Sequence, residues 1–169
     1  MLLQLRKWPA ESARQRNLLK VSPGYSPWTG RTEFRGTGIS KTPRVLDILD
    51  IVTITKMRAA DRVCMSSAEL KALLKDTYVD VSQSHERKCY TNADGITSCL
   101  TTSSDLYSFA RDAAILPEEY LRLQGHTPFV SIPSSMSKRD IKALAGEGIF
   151  LPCLGIIMWS LFVLKGFDV

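Results

Sequence analysis

Two hydrophobic periodicities divide the chain. In "SSAELKALLKDT", residues 66–77, Leu70, Leu73 and Leu74 fall at helical spacing and make one apolar face, with Ser66 or Ser67 as N-cap. "TYVDVSQS", residues 77–84, changes to strict alternation: Val79 and Val81 against Tyr78, Asp80 and Ser82, the pattern of a half-buried strand. "NADG", Asn92 to Gly95, is a turn, and "ITSCLTTSS" after it is a second strand candidate. "VLDILDIVTIT", Val45 to Thr55, carries both signals, and its β-branched end is open to a strand.

The last third is more regular. Leu116 precedes Pro117, which suits a first helical turn because the missing N–H would be unpaired there anyway. Glu118 and Glu119 meet the positive end of the helix dipole, and Gly125 supplies a left-handed stop. Leu116, Tyr120 and Leu123, at i, i+4 and i+7, are the expected buried stripe. "SKRDIKALAG", residues 137–146, has Ser137 and Asp140 at capping-box spacing, with Ile141, Leu144 and Ala145 inside and Gly146 at the end. "IFLPCLGIIMWSLFVL", Ile149 to Leu164, has no charge. It is shorter than the roughly 20 residues of a membrane span and is broken by Pro152 and Gly155. It reads as a buried helix of a larger α/β protein, with a membrane helix as the alternative. Residues 1–45, as in "VSPGYSPWTGRTEFRGTGISKTPR", read mostly as loop by turn chemistry.

Composition changes this picture in two ways. At 44% hydrophobic and 23% charged, the 169 residues can form a packed core. The net charge of +5 is unevenly placed: residues 1–62 hold 12 Lys/Arg against 5 Asp/Glu, and residues 63–169 hold 10 against 12. The basic first third suits either a polyanion surface or a solvated basic segment. Cys64, Cys89, Cys99 and Cys153 form no C-x-x-C pair, and His85 and His126 are not at zinc-ligand spacing, so no metal site is expected. The start turns basic within a few residues, unlike a secretory signal, so free thiols in a reducing intracellular compartment are expected.

Four segments carry a resemblance. Residues 115–126, "ILPEEYLRLQGH", are similar to the ninth motif of the DNA cytosine-5 methyltransferases, roughly L-T-x-R-E-x-x-R-L-Q-G-F. Glu119, Arg122, Leu123, Gln124 and Gly125 hold the match. Leu116, Glu118 and His126 stand where that family has threonine, arginine and phenylalanine. Residues 144–150, "LAGEGIF", resemble the tenth motif, Q-x-G-N-A-V-P, through Gly146, Ile149 and the trailing apolar helix, with Glu147 in the asparagine place. "SCLTTSSDLYSFARD", residues 98–112, looks like the end of the family's target-recognition region, through Leu100, Thr101, Thr102 and Tyr107. "ESARQRNLLKV" resembles the eighth motif, Q-x-R-x-R, with Arg14 and Arg16 in the arginine places and Ser12 for glutamine.

The resemblance implies an α/β protein: an incomplete C-terminal part of an S-adenosylmethionine-dependent, Rossmann-like methyltransferase fold. An irregular α+β recognition segment and closing helices would make it up. Residues 1–62 would be a basic, loop-rich segment with an eighth-motif remnant at 12–21, residues 63–110 recognition-like, and residues 111–165 the closing helices. It further implies Thr101 and Thr102 against DNA phosphates, Arg14 and Arg16 at a flipped cytosine, and Gly146, Glu147, Gly148 and Ile149 bordering S-adenosyl-L-methionine. The nucleophilic Pro-Cys and the Glu-Asn-Val of the family do not precede Arg14. Glu-Asn-Val and G-x-G-x-x-G occur nowhere, and Pro152-Cys153 lies in the last apolar run, where core packing is its expected role. The expectation is therefore the C-terminal portion of a cytosine-5 methyltransferase-like protein, without activity alone and completed by an N-terminal half or a complementing chain. Its partner would be DNA, and its location intracellular, nuclear in a eukaryote. A non-catalytic DNA-binding remnant and a small membrane-anchored protein are the alternatives.

Overall fold

The computed structural model describes residues 2–31 and 37–164. Residues 32–36 of the loop-rich segment, and residue 165 at the end of the closing helices, lie outside them. The described residues form α1 (Leu2–Leu18), α2 (Pro43–Ala59), α3 (Ser67–Leu74), β1 (Tyr78–Asp80), a 3₁₀ turn (His85–Arg87), β2 (Leu106–Ser108), β3 (Ala113–Ala114), α4 (Pro117–Leu123), α5 (Lys138–Glu147) and α6 (Leu151–Val163). They divide into two compact units: residues 1–99 with 105–114, and residues 100–104 with 115–169.

In the first unit α2 is the central element. Val45, Ile48, Leu49, Val52 and Met57 line the core with Leu70 and Leu74 of α3 and Val79 of β1. The β-branched end of α2 is helical, not a strand. Thr53 and Thr55 donate their hydroxyls to the carbonyls of Leu49 (2.9 Å) and Ile51 (2.8 Å), so each hydroxyl is satisfied inside the helix. Pro43 starts α2 at a position that needs no N–H. α3 starts as the pattern predicts: Ser66 and Glu69 close a capping box, with the Ser66 N–H 2.8 Å from the Glu69 carboxylate.

The sheet has the order β1-β2-β3 and is antiparallel throughout, with Val79 opposite Tyr107 and Tyr107 opposite Ala114. Its second strand is Leu106–Ser108, not the stretch 96–104. There the Thr101 N–H donates to Ser104 Oγ (2.8 Å) and the Ser104 N–H to the Thr101 carbonyl (3.0 Å), so local bonds make a turn where a ladder was expected. The turn at 92–95 is present, held by the Asn92 side-chain oxygen, which accepts from the Asp94 and Ile96 amides. The class is therefore helices with a small antiparallel sheet, and the described residues show no Rossmann-like parallel sheet.

Part of the expected N-terminal loop is also helix. α1 has no broad apolar stripe, and polar groups hold it. Arg16, 4% exposed, donates Nε and Nη2 to Asp47 (3.0 and 2.6 Å) and Nη1 to the carbonyls of Ser22 (3.2 Å) and Tyr25 (2.8 Å). Trp8 Nε1 reaches the other Asp47 oxygen at 3.1 Å. Beyond α1, Trp28 is buried edge-on against Phe109, ring centroids 4.8 Å apart, and gives its indole N–H to the Tyr107 hydroxyl at 2.9 Å. Asp50 is buried beneath Trp28 and Thr29 and accepts both of their backbone N–H groups (2.9 and 3.0 Å) and the Thr29 hydroxyl. Burial lifts its carboxyl above the ordinary range, against the hydrogen bonds that pull it down.

In the second unit the expected stripes are narrower than the sequence suggests. Pro117, Tyr120 and Leu121 are buried in α4, whereas Leu116 and Leu123 are about half exposed. Leu116 is the N-cap, with extended backbone, so helical spacing does not carry it to the buried face. In α5 Ile141 and Ala145 are buried and Leu144 is exposed. The helix runs through Gly146 to Glu147 and ends at Gly148. α6 is not a buried helix among the described residues: none of its 13 residues is buried, and Cys153 is exposed, so Pro152-Cys153 is not packed in a core. No single helix of the described residues is long and apolar enough to cross a membrane.

Candidate functional site

The second unit brings three of the matched segments together. Gly146 sits in the body of α5 directly against the 101–102 peptide. A Cβ there would lie 2.3 Å from Thr101 C and Thr102 N and 2.4 Å from the Thr101 carbonyl oxygen. A side chain at 146 would therefore collide with backbone, which cannot yield as a side-chain tip can. The glycine is required by close approach, not by conformation.

At the preceding residue, the Ala145 carbonyl accepts the Gln124 side-chain N–H at 2.8 Å, which bridges the end of α4 to the end of α5. The Gln124 carbonyl accepts from the Leu151 N–H at 2.9 Å, where α6 begins. Gly125 has φ +83°, and a Cβ on it would meet Pro152 Cδ at 2.5 Å, so both conformation and space exclude a side chain. Glu119 returns its carboxylate to the Leu116 N–H at 2.8 Å and caps α4. Tyr120 places its hydroxyl 3.4 Å from the Ser104 carbonyl, and Lys142 Nζ lies 5.4 Å from the Tyr120 ring centroid. Gln124 and Gly125 thus act as connectors and Glu119 as a cap, while Arg122 and Leu123 are exposed.

The other site residues stand differently. Thr101 and Thr102 are exposed, in a turn and not on a strand. The Thr101 hydroxyl is shared with Ser103 and Ser104. Arg14 and Arg16 lie two apart on a helix, where side chains do not face one another. Arg14 is on the surface, paired with Glu86 at 2.5 Å, and the Arg16 donors are taken by Asp47, Ser22 and Tyr25. They do not converge on a common ligand.

Gly146, Glu147, Gly148 and Ile149 do not by themselves fit a grip on S-adenosylmethionine. Backbone fills the bare face of Gly146, and the other three are exposed and present no buried polar group. Among the described residues no three His, Cys, Asp or Glu side chains are grouped to hold a metal ion.

Sequence reasoning passed over a cleft of the first unit, about 610 Å³, beside Lys56, Lys88 and Tyr90. Nothing in their spacing announces it, because Lys56 lies on α2 and the other two follow the 3₁₀ turn. Set against protein-family models, curated proteins and solved structures, the chain matches none of them.

Proposed function

We propose that the chain is the C-terminal portion of a DNA cytosine-5 methyltransferase-like protein, acting where DNA is held, inside the cell and in the nucleus of a eukaryote. The observation that carries the reading is the convergence of separated motif residues: Gly146 on Thr101–Thr102, and Gln124 on Ala145. A chance likeness of three short strings gives no reason for their matched residues to need one another. Here the glycine of one string is sterically required by the 101–102 backbone of another, and the glutamine of the third donates to the α5 backbone at Ala145. In a completed protein the reaction would be methylation of cytosine C5 on an extruded base, with S-adenosylmethionine as the methyl donor held outside this chain. The reacting cysteine, the Glu-Asn-Val glutamate and most of the cofactor contacts belong to sequence this chain does not contain. The role of the present residues is support: connecting the closing helices and offering α6 as an apolar surface.

The test mixes the chain with the N-terminal half of a cytosine-5 methyltransferase, cut before its eighth motif, and follows labelled methyl transfer to DNA. Transfer is expected from the mixture and from neither part. Activity of this chain alone overturns the assignment of the chemistry to the absent motifs. A complex that assembles and still methylates nothing overturns the reading itself.

A further inference from the structure

The 610 Å³ cleft of the first unit lies between the end of α2 and the segment 88–95. Lys56 approaches from the helix and Lys88 from the residue that ends the 3₁₀ turn, held in the left-handed region at φ 52°. The lining carboxylate, Asp76, is exposed and lies 3.9 Å from Lys75. Among the described residues neither Lys56 nor Lys88 has an ion-pair partner. Lys56 Nζ has the Asn92 carbonyl at 3.3 Å and the Tyr90 ring centroid at 5.9 Å. One carbonyl and one ring use part of an ammonium's three donors. Burial without a carboxylate pulls the Lys56 ammonium below its ordinary range.

A lysine near a helix C-terminus has a ready explanation in the helix dipole. That accounts for Lys56 but not for Lys88, which comes from another segment and faces the same space. Tyr90 packs in part against the hydrophobic core and also lines the cleft. The ring is half-buried, and its backbone is fixed: Thr91 N donates to the Tyr78 carbonyl at 2.9 Å and Asp80 N to the Cys89 carbonyl at 2.8 Å. Two under-neutralised ammonium groups beside a rigidly mounted aromatic ring make the chemistry that binds unpaired nucleic acid, with phosphates on the lysines and a base on the ring. A duplex keeps its bases stacked and can meet only the charges.

We propose that this cleft binds single-stranded DNA, with a base stacked on Tyr90 and the flanking phosphates on Lys56 and Lys88. The choice of DNA rests on the proposed function; the cleft's preference for an unpaired strand rests on the cleft.

Fluorescence anisotropy of the full chain with a labelled single-stranded oligonucleotide, and with the duplex of the same sequence, tests it. The double variant Lys56→Glu/Lys88→Glu is set against Lys41→Glu/Lys138→Glu, which changes net charge equally at exposed positions elsewhere. The cleft variant is expected to bind single strand at least about tenfold more weakly than its charge-matched control, and to lower the salt slope by about 1 to 2. Tyr90→Leu should lose about fivefold to a hundredfold on single strand, the range that base stacking on an aromatic ring supports, and leave duplex binding unchanged. Tyr90→Phe keeps the ring and should bind as wild type. If Tyr90→Leu does not keep the wild-type melting midpoint, the lysine pair and Tyr90→Phe decide the matter. No single-strand binding by the wild type, equality of the two charge variants, loss of binding in Tyr90→Phe, or an equal loss on duplex in Tyr90→Leu overturns the proposal. Single-strand binding by a chain that never supports methylation leaves this inference standing and removes only the methyltransferase reading.

Discussion

At the scale of single residues, glycines separate cleanly by what surrounds them. Gly146 faces backbone at 2.3 Å, whereas a Cβ at Gly155, inside α6, meets nothing within 4 Å. Gly146→Ala should therefore destabilise the fold of its unit by about 1–3 kcal/mol, the usual cost of overpacking. Gly155→Ala should stabilise α6 by about 0.5–1 kcal/mol through helix propensity alone. Hydrogen exchange of the α4 and α5 amides reports the first and circular dichroism the second; equal effects would refute the close-approach account of Gly146. Asp50 gives a pH dependence. Its carboxyl is raised above 3.8 in the fold, so the protonated form is the favoured one there. The stability it contributes is complete below 3.8 and is lost as pH rises through the raised value. Asp50→Asn still accepts the Trp28 and Thr29 amides and does not titrate. Denaturant melts at pH 3.5, 5 and 7 should show wild type losing ground to Asp50→Asn as pH rises; a gap that shrinks with pH contradicts the assigned direction.

At the scale of elements, legibility followed the range of the interaction. The Ser137–Asp140 capping box could be read from sequence because its partners are three residues apart, and at α3 the reading reached the cap, Ser66 or Ser67, but not its Glu69 partner. α1 could not be read, because what holds it is Arg16 on Asp47, 31 residues on, and a buried arginine leaves no periodic trace. The stretch 96–104 reads as a strand because Ile96 and its threonines suit strands, and it turns at 101–104 because the Ser104 hydroxyl accepts the Thr101 N–H. The sequence marks Gly146 only as the end of a helix and a point of resemblance; its physical reason, a peptide more than 40 residues earlier, leaves no local trace. α6 shows the limit of composition: an apolar run announces a helix and says nothing of what covers it. Ile156 and Trp159 are 67% and 71% exposed. Ile156→Glu with Trp159→Lys should leave the melting of the second unit, to which α6 belongs, within about 0.5 kcal/mol, as surface changes do, and reduce self-association in sedimentation. A large fall in stability would mean that these side chains are packed.

At the scale of the whole molecule, the first third carries the basic excess, and the first unit contains the lysine-flanked cleft. The motif residues that converge lie in the second unit. The two proposals thus rest on different units and are independently removable by mutation. Charge reversal at Lys56 and Lys88 should not alter assembly with a complementing half, and Gly146→Ala should not alter oligonucleotide anisotropy.

The division of the chain has a further consequence for anyone who cuts it. Residues 100–104 belong with 115–169, but 105–114 belong with 1–99, so the polypeptide crosses between units three times. No single scission yields both bodies whole. Protease cleavage after residue 114 leaves α5 without the peptide that fills the notch at Gly146, and cleavage before residue 100 strips the first unit of β2 and β3. Fragments of the second body should regain their fold only when a peptide spanning 100–104 is returned to them.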